Sequence, residues 1–457
     1  MFIDFLLDVF EANRDNEALV WQGQVTTYAR LLELIDASRA QLAAGGIEPG
    51  MVVLLDADFS PVGVAMLLAL VERGCIIVPI TQTASPKEAQ FRQIAEVEAV
   101  VRVDAADRVS TEVTGVEAQH ELLRRLKDWA HPGLILFSSG ATGEPKAVVH
   151  DFTRLLERYK QQRHQLRTLN FLLFDHIAGL NTLFYAIANA SCVVTVQDRS
   201  PDAVCAAIET YRVQLLPTSP TFLNLLLLSE AYKRHDLSSL ELVTYGTEVM
   251  PESTLARFRA LFPDVNVLQQ YGTSETGVPR TKSRSADSVW VKMGGHGFGV
   301  RVVDGLLELK SPYAMLGYLN APSPFTEDGW FMTGDAVEVD GEYMRILGRT
   351  SDMINVGGEK VYPAEVESVL LLMDGVEDAT VTGERNPITG RIVKATVRLS
   401  TGESTGEFRR RMREFCKDKL QPYQIPQKIE IVDAEMYSER FKKLRRLVGE
   451  QGESEEA

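Results

Sequence analysis

The chain has 457 residues and a formal net charge of −15, from 48 basic and 63 acidic residues. This acidic balance disfavours a nucleic-acid or anionic-membrane surface, so no nucleic-acid partner is expected. The length exceeds one ordinary hydrophobic core and predicts several packed units. With 45 % hydrophobic and 24 % charged residues, the composition is that of a soluble globular protein.

Cysteine spacing and the length of the apolar runs indicate the cellular compartment of the protein. The cysteines form no C-x-x-C pair, which favours free thiols over a zinc site or a disulfide framework. They are Cys75, Cys192, Cys205 and Cys416. The longest apolar run, residues 62–80, is interrupted by Glu72 and Arg73 and is too short and too charged to span a bilayer. The N-terminus predicts an amphipathic helix rather than a signal peptide. We therefore expect a cytoplasmic protein without membrane insertion.

Helix and strand signals alternate from the N-terminus to about residue 280, which predicts an α/β fold with parallel sheets in two units. The predicted strands are 51–55, 75–79, 99–103, 134–137, 147–149, 170–174, 192–196, 213–216, 242–245 and 266–269. The predicted helices are 1–10, 26–42, 61–71, 90–95, 151–166, 180–190, 201–211, 220–229 and 251–262. Short strands at 299–303 and 306–310 predict a small β module over 280–347. Residues 350–457 predict an α+β unit with a disordered acidic tail over 449–457.

Residues 134–150 join an apolar strand to a run of hydroxyl and glycine residues, followed by Pro145 and Lys146. Small residues let backbone N–H groups approach an anion, and the lysine adds positive charge, so this loop suits a polyphosphate. It is not a Walker A loop, because a strand rather than a helix follows Lys146. The alternative is a Gly/Ser surface hairpin with an incidental lysine.

Three further motifs carry polar side chains at strand ends. In the segment 269–277, Glu275 follows a Tyr-Gly turn and is placed to hold Mg²⁺ against phosphate oxygens. Asp335 ends a Thr-Gly-Asp turn that suits a diol such as ribose. Arg349 precedes a change of composition. The alternatives are an ordinary strand-end turn, a plain hairpin and a linker with a surface arginine.

The order and spacing of these motifs resemble the adenylate-forming superfamily of acyl- and aryl-CoA ligases, peptide-synthetase adenylation domains and luciferases. The resemblance runs from about Thr26 to Arg446. It implies a large N-terminal domain of two α/β sheet subdomains plus a small β-barrel-like module, over 1–347. A hinge at 348–352 and a small mobile α+β domain over 353–457 follow.

The same resemblance implies an ATP-dependent acid–thiol ligase. A carboxylic acid would form an acyl-adenylate and then a thioester with CoA, with Mg²⁺ assisting. One alternative acceptor is the phosphopantetheine of an acyl carrier protein. A second alternative is a nucleotide-binding homologue without catalysis. The acid itself is not readable from the sequence.

Site residues follow from the resemblance, position by position. The loop holding the β- and γ-phosphates would comprise Ser138, Ser139, Gly140, Thr142, Gly143 and Lys146. The remaining nucleotide contacts would come from Gly246, Thr247, Glu248, Tyr271, Gly272, Ser274, Asp335 and Arg349. Tyr271 would pack on adenine and Asp335 would accept the ribose hydroxyls. Glu275 would associate with Mg²⁺. His176 would line the acyl pocket, unless it is merely packed at a strand end.

The C-terminal domain would supply the catalytic Lys442, which matches the lysine that bridges the acid and the α-phosphate. The alternative is a basic helix face. Ser351 would be the hinge residue, and Gly357 and Gly358 would line a pantetheine tunnel. Several positions depart from the family pattern: Ala141, Ala147, Ser351, Met436 and Phe441. Because Phe441 replaces a glycine beside Lys442, adenylation would be slow or rely partly on Lys443.

Overall fold

The computed structural model describes residues 2–81, 86–139, 144–295, 297–438 and 440–445, with only the backbone of Ser139. The first strands are β1 Glu17–Trp21, β2 Gln24–Thr27, β3 Val52–Asp56, β4 Ile76–Ile80, β5 Ala99–Val103, β6 Val109–Val113, β7 Gly133–Ser139 and β8 Pro145–Asp151. The helices between them are α1 Asp4–Ala12, α2 Tyr28–Ala44, α3 Pro61–Glu72, α4 Glu88–Ile94 and α5 Glu121–Trp129. The predicted acidic tail lies outside the described residues.

The middle of the chain continues the alternation. Its strands are β9 Thr168–Leu169, β10 Val193–Val194, β11 Leu215–Thr218, β12 Leu242–Tyr245 and β13 Asn266–Gln269. Its helices are α6 Phe152–Glu157, α7 Ile177–Ala188, α8 Pro201–Tyr211, α9 Pro220–Ser229 and α10 Glu252–Leu261, with a 3₁₀ turn at Ala231–Lys233.

The rest of the chain begins with a run of strands. These are β14 Arg280–Ser283, β15 Val291–Gly294, β16 Gly299–Val303, β17 Leu306–Lys310, β18 Gly317–Tyr318, β19 Phe331–Asp340 and β20 Tyr343–Arg349. A 3₁₀ turn at Thr350–Asp352 leads to the last unit. That unit contains β21 Ile354–Val356, β22 Glu359–Val361, α11 Pro363–Leu370, β23 Val376–Asn386, β24 Gly390–Leu399, α12 Thr405–Cys416 and β25 Lys428–Ile431.

Two seven-stranded sheets form the large N-terminal part, as the alternation predicted. Their strand orders are β18-β8-β7-β4-β3-β5-β6 and β13-β12-β11-β9-β10-β1-β2. Strands β9 to β13 pair in parallel, and so do β3, β4 and β5. The β1–β2 hairpin belongs to the second sheet although it precedes every strand of the first. The chain therefore crosses between the two units instead of completing one before the other.

The β module and the C-terminal unit are separate sheets. The module has six strands in the order β14-β15-β20-β19-β17-β16. In the C-terminal unit the order is β22-β21-β24-β23, with β25 on β24, and α11 and α12 belong to this unit. Its hydrophobic core, from Ile354 to Ile429, is distinct from the cores of the N-terminal sheets. The predicted α/β class, with a large N-terminal and a smaller α+β C-terminal domain, is confirmed.

Local sequence explains several sharp helix starts. Helices α3, α8 and α9 each begin with a Ser-Pro pair, whose serine accepts a hydrogen bond from the backbone N–H three residues on. The serine satisfies an otherwise unpaired donor, and proline at the first helical position has its φ preset. Helix α3 is buried on all faces, from Gly63 to Val71. The apolar run 62–80 is therefore a core helix followed by the core strand β4. No described helix has the length and apolarity needed to cross a membrane.

One predicted helix was too long, and one predicted strand was misplaced. The helix predicted over 151–166 ends at Glu157, because residues 160–166 lack a periodic apolar face and bond elsewhere. In that stretch the Arg163 N–H donates to the Asn189 side chain, and the Gln165 side chain donates to the Ala190 carbonyl at 2.5 Å. The strand predicted over 170–174 was also wrong, because pairing in the sheet stops at Leu169.

The turn into α7 gives a test of the fold beside the candidate site. A methyl group on Gly179 would overlap the Leu173 carbonyl oxygen, whereas one on Gly406 in α12 would meet no atom within 4 Å. We expect Gly179→Ala to destabilise the protein by about 2 kcal/mol through overpacking. Gly406→Ala, as the control, should be neutral or stabilise by up to about 1 kcal/mol. Urea unfolding measures both, and equal stabilities for the two variants would contradict this packing.

Candidate active site

The predicted phosphate loop joins two antiparallel strands, with Ser138 opposite Lys146 in the β7–β8 register. The Lys146 ammonium lies 5.4 Å from the centre of the Tyr318 ring. Predicted contacts at Gly140, Thr142 and Gly143, the altered Ala141 and the Ser139 side chain lie outside the described residues. That the loop binds phosphates stays a prediction. The structure shows that the loop lies between two antiparallel strands, β7 and β8.

Glu275 lies beside this hairpin. The Tyr318 hydroxyl donates to Glu275 Oε1 at 2.9 Å, so one aromatic side chain contacts both Lys146 and Glu275. The adjacent Ser274 carbonyl accepts a hydrogen bond from His150 Nε2 at 2.6 Å. His150 is fully buried on β8, and burial lowers its pKa, which keeps the ring neutral. Strand β8 therefore fixes the position of the Ser274–Glu275 turn.

A second polar cluster lies where the β module meets the second sheet. The Tyr271 hydroxyl donates to the Asp335 carboxylate, whose other oxygen is 3.5 Å from Arg349 Nε. Asp335 and Arg349 face each other across β19 and β20. Burial raises the pKa of Asp335, and the Tyr271 hydrogen bond and Arg349 oppose that rise. The structure thus brings together three residues predicted to bind the adenine and ribose.

The turn after β12 carries Gly246, Thr247 and Glu248. A side chain on Gly246 would come within 2.7 Å of the Gln270 carbonyl oxygen, so the close approach of the two strand ends requires glycine. Thr247 has φ of +72°, an uncommon backbone for a β-branched residue. Glu248 accepts from the Thr221 hydroxyl at 2.6 Å. Such strained backbone concentrates at functional sites.

His176 is the N-cap of α7, a structural role that its sequence context did not reveal. Its Nδ1 accepts from the Ala178 N–H at 3.2 Å, which leaves the ring proton on Nε2. Burial, together with the charges of Lys442 and Arg440, lowers the pKa of His176 well below its usual value. His176 is therefore a neutral side chain close to Lys442.

Lys442 is partly buried, near charges that come mainly from the N-terminal part. Burial lowers its pKa; Glu248 and Glu275 act to raise it, and Arg440 and Arg349 add to the lowering. It follows that the C-terminal segment brings Lys442 to the same place as Glu275 and Arg349. This arrangement does not fit the alternative of a solvated basic helix face, because the Ser438 N–H donates to the Lys442 carbonyl and the Phe441 N–H donates to the Ser438 carbonyl, each at 2.8 Å.

Lys443 points away from that site into the C-terminal domain. Its ammonium donates to the Ala379 carbonyl at 2.6 Å and lies 3.4 Å from Asp378 and 3.7 Å from Glu367. Burial alone lowers the pKa of Lys443, but Glu367 and Asp378 raise it overall. Its side chain is thus engaged in an internal ion cluster and is not positioned to replace Lys442.

The hinge and tunnel predictions fall on ordinary local structure. Ser351 is exposed in the 3₁₀ turn Thr350–Asp352. Gly357 and Gly358 form the two-residue β21–β22 turn, with φ of +61° and +98°. Positive φ at both positions is the demand of a type I′ hairpin. Their roles in domain rotation and thiol access stay predictions.

Sequence reasoning missed several residues of the site. Tyr318, Asp175, Arg440 and Glu367 act through partners far away in the chain, so no local spacing marks them. Glu367 accepts from the Val381 N–H at 2.9 Å and from Arg445 at 2.5 Å. The signal for Glu367 was a carboxylate on the buried face of the short helix α11. Taken together, the site brings three cations, Lys442, Arg349 and Arg440, near one neutral histidine and the Glu275 turn, which suits two reacting anions.

Family models match both parts of the chain. The AMP-binding enzyme model covers residues 8–308, and the model of the AMP-binding enzyme C-terminal domain covers residues 365–442.

Curated relatives match along most of their length. An indoleacetate–CoA ligase of Aromatoleum aromaticum is 26 % identical over 89 % of this chain and 89 % of its own. A 2-succinylbenzoate–CoA ligase of Listeria innocua is 25 % identical over 91 % of this chain and 92 % of its own.

Solved structures share the fold. An anthranilate CoA ligase in complex with anthranoyl-AMP superposes with a TM-score of 0.81 at 20 % identity, over 96 % of this chain and 95 % of its own. The o-succinylbenzoate CoA synthetase of Bacillus subtilis, in complex with its acyl-adenylate, has a TM-score of 0.76 at 24 % identity, over 99 % of both chains.

The ion cluster of Glu367, Lys443 and Arg445 can be tested by measuring the free energy of unfolding. Burial raises the pKa of Glu367, but Lys443 and Arg445 lower it overall. The charge of Glu367 therefore stabilises the fold above pH 4.5, the ordinary pKa of the group. This contribution is lost as the pH falls through the lower pKa of the folded state. We expect Glu367→Gln to cost about 3 kcal/mol at neutral pH, because two partly buried cations lose their buried partner.

The cost should shrink in acid, where wild-type Glu367 also becomes neutral. Glu342→Gln, which breaks an exposed pair with Lys292, is the control and should leave stability nearly unchanged. Urea unfolding between neutral and acid pH measures both variants. A cost for Glu367→Gln that does not depend on pH would contradict the charge-pairing explanation.

Proposed function

The chain belongs to the AMP-binding enzyme family, as its motifs predicted, and we propose that it is an acid–thiol ligase of the AMP-forming type acting through Lys442. A carboxylic acid attacks the α-phosphate of ATP, forming the acyl-adenylate and releasing pyrophosphate. The thiol of CoA then attacks the acyl carbon, and AMP leaves. The named relatives, which are CoA ligases, support CoA as the acceptor.

The observation that carries this proposal is the convergence of Lys442 with Glu275, Glu248 and Arg349. Adenylation joins two anions, so its rate depends on aligning them and on neutralising their charge. An ammonium buried beside the nucleotide residues serves both needs. Its pKa, lowered by burial, would rise again once the carboxylate and the α-phosphate lie against it.

In this proposal, each of the other site residues contacts a different part of the substrates. Lys146 and the hydroxyls of its loop hold the β- and γ-phosphates. Tyr271 and Gly272 lie along the adenine, Asp335 accepts the ribose hydroxyls with Arg349 beside it, and His176 lines the acyl pocket. The pairing of Asp335 with Tyr271 and Arg349 supports this, because it orients the carboxylate before the nucleotide arrives.

Mg²⁺ fits as a companion of ATP rather than as a resident ion. The described residues contain no group of three or more His, Cys, Asp or Glu that could hold a metal. Mg²⁺ commonly takes only one or two carboxylates plus phosphates and waters, and Glu275 supplies one carboxylate. When bound, the ion would neutralise phosphate charge. Exchange activity that persists after chelation of all divalent cations would contradict this assignment.

The domain division proposed is 1–347, a hinge at 348–352 around Ser351, and 353–457. The separate C-terminal core supports it. Rotation about this hinge would move Lys442 out of the site and bring the Gly357–Gly358 turn to it. That turn would then line the path of the pantetheine. A cytoplasmic location is proposed on the four free cysteines, because free thiols are typical of a reducing compartment.

The acceptor and the acid are open to direct assay. A carrier-protein phosphopantetheine in place of CoA is the alternative, and thioester formation with CoA against candidate carriers separates the two. The acid is found by screening aromatic and aliphatic acids for pyrophosphate release. Absence of ATP–pyrophosphate exchange with every acid would favour a nucleotide-binding homologue without catalysis.

Lys442 is tested by separating the half-reactions. With an acid that supports exchange, we expect Lys442→Ala to lower the ATP–pyrophosphate exchange rate by roughly 100-fold or more, because the reacting anions lose their cation. Thioester formation from supplied acyl-AMP should stay within about threefold of wild type.

The matched control is Lys428→Ala, which removes a C-terminal-domain lysine paired on the surface with Glu384. It should leave both rates unchanged. Equal loss of the two half-reactions in Lys442→Ala would reject the assigned role, and so would full exchange activity.

A further inference from the structure

The residues on either side of Lys442 are each attached to the N-terminal domain. Arg440 pairs with the buried Asp175 at 2.9 Å. The Phe441 carbonyl accepts from the Ser219 hydroxyl at 2.9 Å. The Lys443 N–H donates to Glu248 at 2.7 Å. Attachments at three of its near neighbours, on both sides in sequence, fix the backbone that carries Lys442.

The Phe441 ring makes the apolar part of this attachment. It contacts Phe222 edge-on at 5.1 Å and Phe171 edge-on at 5.7 Å, between ring centres. Those two rings are buried in the core of the second sheet and lie 4.6 Å from each other. Edge-to-face pairs at such distances are favourable beyond the burial of area. A side chain from the C-terminal segment thus completes an aromatic cluster of the N-terminal domain.

The backbone of Phe441 shows that this contact offsets a local cost. Phe441 has φ of +49°, in the left-handed region where a bulky side chain is strained. The turn requires it, because the Phe441 N–H donates to the Ser438 carbonyl and the Ser438 N–H to the Lys442 carbonyl, each at 2.8 Å. Glycine would adopt this turn without strain, so the ring is retained at a conformational cost.

Arg440 adds a charge contact beside the aromatic one. Asp175 is 6 % exposed, and its Oδ1 has no hydrogen-bond partner within the described structure. Removing Arg440 would leave this carboxylate buried without its cation, which is unfavourable. Asp175 immediately precedes His176, so the ion pair is made at the edge of the site.

We propose that Phe441 and Arg440 are positioning residues: the ring docks on Phe171 and Phe222, the guanidinium docks on Asp175, and together they hold Lys442 in the site for adenylation. The inference rests on the proposed function for its kinetic consequence, although the docking itself does not depend on catalysis. Release of these contacts then accompanies the thioester step.

Phe441→Gly isolates the contribution of the ring, because glycine keeps the left-handed turn. We expect kcat for ATP–pyrophosphate exchange to fall at least about tenfold with little change in KM for ATP, while thioester formation from supplied acyl-AMP stays within about twofold. Phe441→Leu should recover part of the exchange rate. Phe415→Ala, which removes a partly buried ring elsewhere in the C-terminal domain, is the control and should leave exchange unchanged.

The ion pair is tested by a double-mutant cycle with Arg440→Gln and Asp175→Asn. If the two residues act as a pair, the loss in exchange rate for the double variant should be smaller than the product of the single losses. Losses that multiply would show that Arg440 acts through another partner and would overturn its assigned contact.

A fluorescence measurement reads the docking without turnover. The four native cysteines are buried, and burial raises the pKa of the Cys75 thiol to about 12 and of the Cys416 thiol to about 11. Labels at Val113→Cys and Ile388→Cys, 52 % and 91 % exposed in separate domains, therefore react selectively. In the labelled protein without further substitution, the docked arrangement gives a characteristic energy-transfer efficiency. We expect Phe441→Gly to reduce the fraction of molecules that show this efficiency.

The kinetic and fluorescence measurements distinguish failure of the docking inference from failure of the proposed function. A change in energy transfer with no exchange in any variant, wild type included, would support docking and reject the proposed function. Unchanged energy transfer in Phe441→Gly would overturn the docking inference, whatever the catalytic result. Equal loss of both half-reactions in Phe441→Gly would also overturn it, because a general structural defect would then explain the kinetics.

Discussion

The site depends on the partial burial of one ammonium, Lys442, among charges supplied by two domains. Desolvation disfavours the charged lysine, and the nearby Arg349 and Arg440 disfavour it further, while Glu248 and Glu275 oppose this only in part. Such a site is electrostatically incomplete without anions. In the proposed reaction a carboxylate and a triphosphate supply the missing negative charge, so the arrangement is most favourable when both substrates are present. A cation on an exposed loop would lack this dependence, because water would screen it.

The scaffold explains how distant residues reach this ammonium. Strands β12 and β13 run parallel, so their carboxyl ends meet at one edge of the second sheet and present Gly246–Glu248 and Tyr271–Glu275 side by side. Ligands of open α/β sheets bind at such edges. The hairpin of β7 and β8 approaches from the first sheet through His150, and the β module contributes Asp335 and Arg349. The site therefore draws residues from three different sheets, which is the reason that the crossing of the chain between sheets matters for function.

Local signals predicted the fold well and the site only in part. Alternating periodicity and Ser-Pro helix starts depend on neighbours in sequence, so the parallel sheets, α8 and α9 were predicted at their observed positions. The helix over 151–166 failed because the Arg163 N–H donates to the Asn189 side chain and the Gln165 side chain donates to the Ala190 carbonyl, which are tertiary contacts. Tyr318 and Glu367 were missed because their partners lie far along the chain. The loss of glycine at Phe441 was expected to impair the entry of Lys442, yet the turn keeps its left-handed backbone and places the ring in an aromatic cluster.

The pH dependence of ATP–pyrophosphate exchange tests the central claim most directly. The lysine must be charged to bridge two anions, and the pKa of Lys442 in the free protein lies below its ordinary value of 10.5. Because kcat/KM reports the free enzyme and kcat the substrate complex, the alkaline fall in kcat/KM should begin below that value, and the fall in kcat should lie at higher pH. A kcat/KM that stays constant up to pH 10.5, the ordinary value, or two alkaline limbs that coincide, would contradict a buried lysine whose charge is restored by its substrates.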